Sequence, residues 1–400
     1  MSKTSVWFIV LLAGLGILPS LSIDMGLPAL DSIAVSLHTS DAAAAMTLSL
    51  FLVGFAFAPL ICGPLSDRYG RRPVLVWGTL AFALAAAGCT FAPSIEILLL
   101  GRLIQGFGSG AVTVLSSALV RDLFEGHEAR AKFAQLGVMR SFAPMIAPTI
   151  GAWILTIADW RWIYGVLAFV GTAIFLMIAF GFAESAKLNT APLSVKALLG
   201  EYAEVFKHRI SFGYAAMNAL YFGAVFTYVT NSPLLMMKHF GLSDQVFGYM
   251  FAGTALGIMC GAFVNGKLNH YKRSPKASLY LGLGLSTTAV IANVALTALG
   301  WDLPQTLFPG LFAFTFSAGL LAPTTNHGVV EHLPHIAGVA SAVMAFLQMV
   351  MGALAGVIVS YSYDGTTSWA MTLIMLFFVL SSALTYLLIV KPTESNPKYS

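Results

Sequence analysis

The chain has 400 residues, of which 58% are hydrophobic and only 10% charged, against roughly 25% charged in an ordinary soluble domain. So few polar groups cannot coat a soluble particle containing this much apolar surface. The net charge of +4 gives no case for a nucleic-acid partner, and Cys62, Cys89 and Cys260 lie too far apart for a redox or metal motif; they read as packing residues.

Uncharged apolar runs of about 20 residues recur from end to end, each long enough to cross a ~30 Å hydrocarbon core as a helix. Strands are excluded, because backbone facing lipid must satisfy its own hydrogen bonds. The first run, Ser5 to Ile23, is too long for a signal-peptide core and no small-residue cleavage pattern follows it. In chain order the spans are expected over residues 5–35, 42–62, 73–93, 96–119, 132–157, 162–183, 210–233, 245–266, 277–299, 305–328, 336–361 and 368–390. The expected fold class is an all-α membrane protein of twelve transmembrane helices.

An even number of spans puts both termini on one side. Most of the basic residues fall in the tails and the even-numbered connections, among them Arg68, Arg71, Arg72, Arg121, Arg130, Lys132, Lys207 and Arg209, whereas Arg161 and Lys238 lie on the other side. The positive-inside rule then makes both termini cytoplasmic.

Residues 184–209 form the longest polar stretch. Within it Val195, Leu198, Leu199, Tyr202, Val205 and Phe206 follow helical spacing, which predicts an amphipathic helix lying at the cytoplasmic surface. It would join two six-helix halves, residues 1–183 and 210–400. The halves echo each other: Gly63-Pro64-Leu65 through Arg72-Pro73 closes span 2, and Gly266-Lys267-Leu268 through Arg273-Ser274-Pro275 closes span 8. A duplicated unit of this kind is how many transporters build a site near the midplane.

Among 21 basic and 17 acidic side chains, only Asp24, Arg102 and Arg140 fall well inside spans. An ionisable group there is costly unless paired or hydrated, so each is a functional candidate. A lone carboxylate sheds its cost by taking up a proton, which makes Asp24 a proton-coupling candidate. At about 1.5 Å per residue Asp24 and Arg102 both fall in the outer half of the membrane, where they are expected to pair. Arg140 either lines a cavity, attracting an anionic or carbonyl-bearing solute, or pairs with a neighbour. Gln105, Asn218, Tyr221, Asn231, Asn326 and Gln348 are the remaining polar candidates, as substrate contacts or as helix-to-helix hydrogen bonds.

Two glycine-rich segments imitate nucleotide motifs. Gly106-Phe107-Gly108-Ser109-Gly110 lies inside a span with no preceding strand, and Gly261 to Gly266-Lys267 is followed by Leu268 where Ser or Thr must hold magnesium. Neither supports ATP binding, no nucleotide or other cofactor is expected, and close helix packing explains the first.

Gly63-Pro64-Leu65-Ser66-Asp67-Arg68-Tyr69-Gly70-Arg71-Arg72-Pro73 resembles the major facilitator superfamily motif between spans 2 and 3. Its glycines suit a tight turn, and its mixed charges suit gripping a neighbouring helix end. Ile23-Asp24-Met25 with Leu27-Pro28-Ala29-Leu30, Arg102-Leu103-Ile104-Gln105-Gly106, Arg121-Asp122-Leu123-Phe124, and Asn326 through Ser341 are similar to the Bcr/CflA subfamily of drug–proton antiporters. Span 5 carries Pro144, Pro148 and Gly151 of the antiporter motif, with alanines at 147 and 152 where glycines are usual. Proline and small residues there suit a bend and a close approach to the opposite half.

The resemblance implies two pseudo-symmetric six-helix bundles and alternating access, with helices 1, 4, 7 and 10 lining the cavity. It implies proton-coupled multidrug efflux of small, largely apolar, phenicol- or bicyclomycin-like compounds across a bacterial inner membrane. Asp24 and Arg102 would handle protons, and the driving force would be the proton gradient. Its partners would be a small-molecule substrate, protons and the lipid bilayer, with the chain a monomer. The alternative is a proton-coupled transporter of a single polar or anionic metabolite anchored on Arg140. No nucleophile–base pair suggests an enzyme.

Overall fold

The computed structural model describes residues 6–185, 194–270 and 275–394, and among them every regular element is helical. Twelve helical spans are long and apolar enough to cross a membrane: Trp7–Ser36, Asp41–Tyr69, Arg71–Thr90, Ile95–Leu123, Gly126–Ile157, Arg161–Gly181, Arg209–His239, Asp244–His270, Lys276–Ala298, Pro304–Glu331, Pro334–Ser362 and Trp369–Glu394. They are numbered 1 to 12 below. Several run past the limits expected from sequence, because a helix keeps its backbone bonds into the polar turns where hydropathy has already fallen. Span 2 is the clearest correction. It stays helical through Gly63 to Tyr69, so only Gly70 separates it from span 3.

The chain divides into two compact units, residues 1–193 and 194–400. In the first, span 4 lies against span 2 on one side and span 3 on the other. A Cβ on Gly106 would strike the Phe51 carbonyl, one on Gly110 the Phe55 carbonyl, and one on Gly108 the Gly78 carbonyl. The glycine-rich run is thus a packing seam serving two neighbours. The second unit repeats it, with Gly261 against the Phe316 carbonyl and Gly319 against the Ile258 carbonyl, seating span 8 on span 10. Hydrocarbon offers no apolar driving force between helices, so close backbone approach through small residues is what holds such pairs.

The amphipathic helix spans Val195–Lys207 and belongs to the second unit. Ser194 caps its start by accepting from the Ala197 N–H. Val205 is buried while Val195, Leu199 and Phe206 stay exposed. Arg273 and Ser274 of the half-chain echo lie outside the described residues. Cys62 and Cys89 are buried free thiols, but Cys260 is exposed, a departure from its expected packing role.

Candidate functional site

Span 1 is not one helix. Its first part, Val6–Asp24, ends at Asp24, and the chain resumes through a short turn at Leu27–Ala29 into Leu30–Ser36. Pro28 has no N–H, and Met25 and Gly26 take turn geometry. Asp24 is therefore the last residue of a helix, at its carbonyl end. It is 6% exposed. Among the described residues it has neither hydrogen-bond nor ion-pair partner.

The expected pairing of Asp24 with Arg102 is absent. Arg102, 1% exposed, donates through Nε to the Thr47 carbonyl at 3.1 Å and through Nη1 to Gln105 Oε1 at 2.6 Å. Its guanidinium lies 4.4 Å from the Phe51 ring centroid and 5.7 Å from that of Tyr164. A carbonyl, an amide and two π faces replace the carboxylate, each satisfying part of the cation without neutralising it. Gln105 is fully buried in this arrangement, with its Nε2 unpaired among the described residues. Tyr164 is a residue the sequence reading missed. Its ring borders Arg102, and its hydroxyl lies 3.9 Å from where a Gly26 Cβ would stand, so it connects the arginine to the break beside Asp24.

Span 5 presses on the same break. A Cβ on Gly151 would overlap the Met25 carbonyl oxygen and touch the Pro28 ring. Ala147, Pro148 and Ala152 are buried around it, and Pro144 is half-buried about two turns away. Gly151 thus makes a close approach within its own half.

Arg140, half-buried on span 5, reaches span 4. Its Nη2 donates to Ser116 Oγ at 2.9 Å, with Ser117 Oγ and the Thr113 carbonyl each at 3.4 Å. Among the described residues no carboxylate pairs with it. Its three neighbours were invisible in sequence, since a serine or threonine in a span carries no charge to mark it.

The charged motif forms a knot at the junction of spans 2 and 3. Arg71 binds Asp67 and Ser66 on span 2, and its Nε donates to Asp122 Oδ2 of span 4 at 2.8 Å. Glu184, just beyond span 6, accepts from the Arg71 N–H at 2.8 Å and the Arg72 N–H at 3.1 Å, so it caps the start of span 3. Arg72 also donates to the Ala179 carbonyl at 2.7 Å. Gly70 has φ +102°, and a side chain there would collide with Glu184. Arg68 sits in the last turn of span 2. Gly63 is a correction: a Cβ there would make ordinary contact with Val114, so it does not tighten the turn.

In the second unit three carboxamides meet. Gln348 Nε2 on span 11 donates to Asn218 Oδ1 on span 7. Asn218 Nδ2 donates to Thr325 Oγ1 and, at 3.1 Å, to Asn326 Oδ1, both on span 10. The cluster borders a cavity of about 220 Å³ lined also by Met217, Tyr221, Phe222 and Ile258. Tyr221 donates to the Phe314 carbonyl at 2.9 Å and stacks on that ring. Asn326 lies at the exposed edge. Asn231 is elsewhere, fully buried, and neither end of its amide is paired among the described residues.

The family model described as Major Facilitator Superfamily matches residues 12–356. The chain belongs to that superfamily. It is 32% identical over 379 residues to the uncharacterised MFS-type transporter YdgK of Bacillus subtilis, covering 94% of this chain and 93% of that one. It is 28% identical to a bicyclomycin resistance protein homolog of Haemophilus influenzae, covering 96% of each. A chloramphenicol resistance protein of Pseudomonas aeruginosa is 30% identical, with 90% of this chain and 85% of that one covered. Among solved structures, a bacterial homolog of the human lysosomal transporter Spinster superposes with a TM-score of 0.72 at 14% identity, covering 96% and 97%.

Membership in the superfamily makes this chain a multi-pass bacterial membrane transporter. It also gives the knot at spans 2 and 3 a setting. The Haemophilus relative matches 96% of the chain, so the site residues of both units lie inside that compared region.

Proposed function

We propose that the chain is a proton-coupled exporter of small, largely apolar compounds, phenicol- or bicyclomycin-like, in the bacterial inner membrane with both termini cytoplasmic. The observation that carries this reading is Asp24, a buried carboxylate with no partner among the described residues, placed where span 1 breaks. An unpaired buried charge is costly, and a proton removes it. Proton and substrate then compete: protonated Asp24 favours the state that releases substrate outward, and substrate binding displaces the proton inward. Arg102 positions Gln105, Phe51 and Tyr164 beside the break and acts on the acid through them. The names of two relatives, for bicyclomycin and chloramphenicol resistance, support the substrate class.

The test uses inverted membrane vesicles carrying an acid-inside gradient reported by a quenched dye. A phenicol or bicyclomycin should dissipate the gradient in wild type and not in Asp24→Asn. Dissipation of equal size in both removes Asp24 from coupling.

A second reading is favoured by Arg140, whose partners among the described residues are only hydroxyls and a carbonyl. Such an arginine can accept an anion, so a single anionic metabolite would be the cargo. That reading predicts narrow specificity and loss of one solute alone on Arg140→Ala.

A further inference from the structure

The Val195–Lys207 helix packs against spans 7 and 11 of its own unit. Its docked edge carries Val205, fully buried, and Leu198, half-buried. A second apolar line runs down its outer side. Val195, Leu199, Tyr202 and Phe206 follow one another at steps of four, three and four residues, so they share one face. Val195 is 63% exposed, Leu199 59% and Phe206 46%. The described residues leave most of this face uncovered, and water is a poor neighbour for a row of large apolar side chains.

Depth and charge indicate what covers it. The Phe206 ring lies 5.6 Å, centroid to centroid, from that of Phe212. Phe212 is in the first turn of span 7, about 4.5 Å past Arg209 along the helix. The C-terminal end of the apolar line is thereby tied to the beginning of a membrane span, where headgroups give way to acyl chains. A helix of 13 residues is about 20 Å long, too short to cross the hydrocarbon and suited to lying along its edge.

Lys196 and Lys207 are three turns apart, so they stand in one row, about 100° round the helix from the apolar line. Both are exposed, and neither has an ion-pair partner among the described residues. Glu204, nearly opposite the apolar line, is 2.9 Å from His335 Nε2, and Glu201 stands beside the docked edge. The lysines are therefore the charges nearest the apolar line. Such a face fits a negatively charged lipid surface, whose phosphates meet the lysines while the acyl boundary takes the apolar side chains.

We propose that this helix is a binding site for anionic phospholipid in the leaflet where span 7 begins. Val195, Leu199, Tyr202 and Phe206 enter the acyl boundary, and Lys196 and Lys207 contact the headgroup phosphates. The segment joining the two units is thereby anchored to the membrane surface. The inference goes beyond the export reading and holds whatever the cargo.

The experiment places a spin label on single cysteines of the purified full chain, in nanodiscs of phosphatidylcholine with or without phosphatidylglycerol. Cys260→Ala removes the exposed native thiol, Cys62 and Cys89 being buried. With phosphatidylglycerol present, labels at Val195→Cys and Leu199→Cys should collide severalfold more with oxygen than with a water-soluble nickel chelate. A label at Ala197→Cys, on the far side, should show the reverse. The oxygen preference at Leu199→Cys should fall severalfold in phosphatidylcholine alone, and likewise in Lys196→Gln/Lys207→Gln with phosphatidylglycerol present. Lys196→Arg/Lys207→Arg should keep it, because the row supplies charge. A single size-exclusion peak and the wild-type melting temperature establish that each variant is folded. A label at Leu199→Cys that prefers nickel in both lipids, or that protein shields from both reagents, overturns the proposal. So does an oxygen preference that is the same with and without phosphatidylglycerol.

Discussion

A side chain at Gly151 would strike the carbonyl of Met25, the residue that follows Asp24 where span 1 loses its helix. Span 5 therefore supports the break from behind, and the space it leaves is the size of a hydrogen atom. Gly151→Ala should force the two spans apart, costing about 1–3 kcal/mol as overpacking does and lowering transport more than tenfold. Gly88→Ala and Gly137→Ala, where a Cβ meets nothing within 4 Å, should change neither. Melting curves and vesicle transport check both.

Glu184 caps span 3 through two backbone N–H groups. Removing it in Glu184→Ala should cost about 0.5–2 kcal/mol, the usual range for a lost cap. Glu184→Gln keeps one acceptor oxygen and should retain more of the stability. Gly70→Ala should be worse than either, because it adds strain at positive φ and a collision with Glu184. Thermal unfolding of the three variants gives the order directly.

Arg71 joins spans 2 and 4 through Asp67 and Asp122, with its guanidinium mostly covered. Arg71→Lys keeps the charge but loses the planar fork, and should not restore transport. A double-mutant cycle of Arg71→Ala and Asp122→Ala should show coupling of about 0.5–3 kcal/mol in stability. Additive losses would mean that the pair carries no shared energy.

His208 stands just before span 7, and its Nδ1 accepts from the Ser211 N–H. Burial, aided by neighbouring His332, lowers its pKa from the ordinary histidine value, with Glu204 opposing. A lowered folded pKa means that the stability it supports is present above the unfolded value and lost as pH falls through the folded one. Wild type should therefore lose melting temperature on acidification from neutral pH more steeply than His208→Asn, which caps without titrating. Parallel pH profiles would remove His208 from that loss.

The twelve spans were legible because a membrane helix writes itself as an uninterrupted apolar run. Their polar ends were not: Gly63 to Tyr69 reads as a loop yet is helix, since nothing in hydropathy marks where backbone bonding stops. Asp24, Arg102 and Arg140 stood out as charges in apolar surroundings. Their neighbours did not, because the Thr47 carbonyl, Ser116 and Tyr164 have no charge to betray a role. Glu184 meets Arg71 across 113 residues of chain, a distance no local pattern spans. The amide cluster was half legible, with Asn218, Asn326 and Gln348 recognisable singly but not their joining through Thr325.

The central claim is that substrate and proton compete through Asp24, and proton release on binding tests it most directly. Purified protein in weakly buffered solution, with a pH indicator present, is mixed with saturating chloramphenicol or bicyclomycin, whichever it binds. Wild type should release protons in proportion to the compound bound, and Asp24→Asn should bind it while releasing none. Equal release from Asp24→Asn, or binding by wild type without any release, would contradict the account.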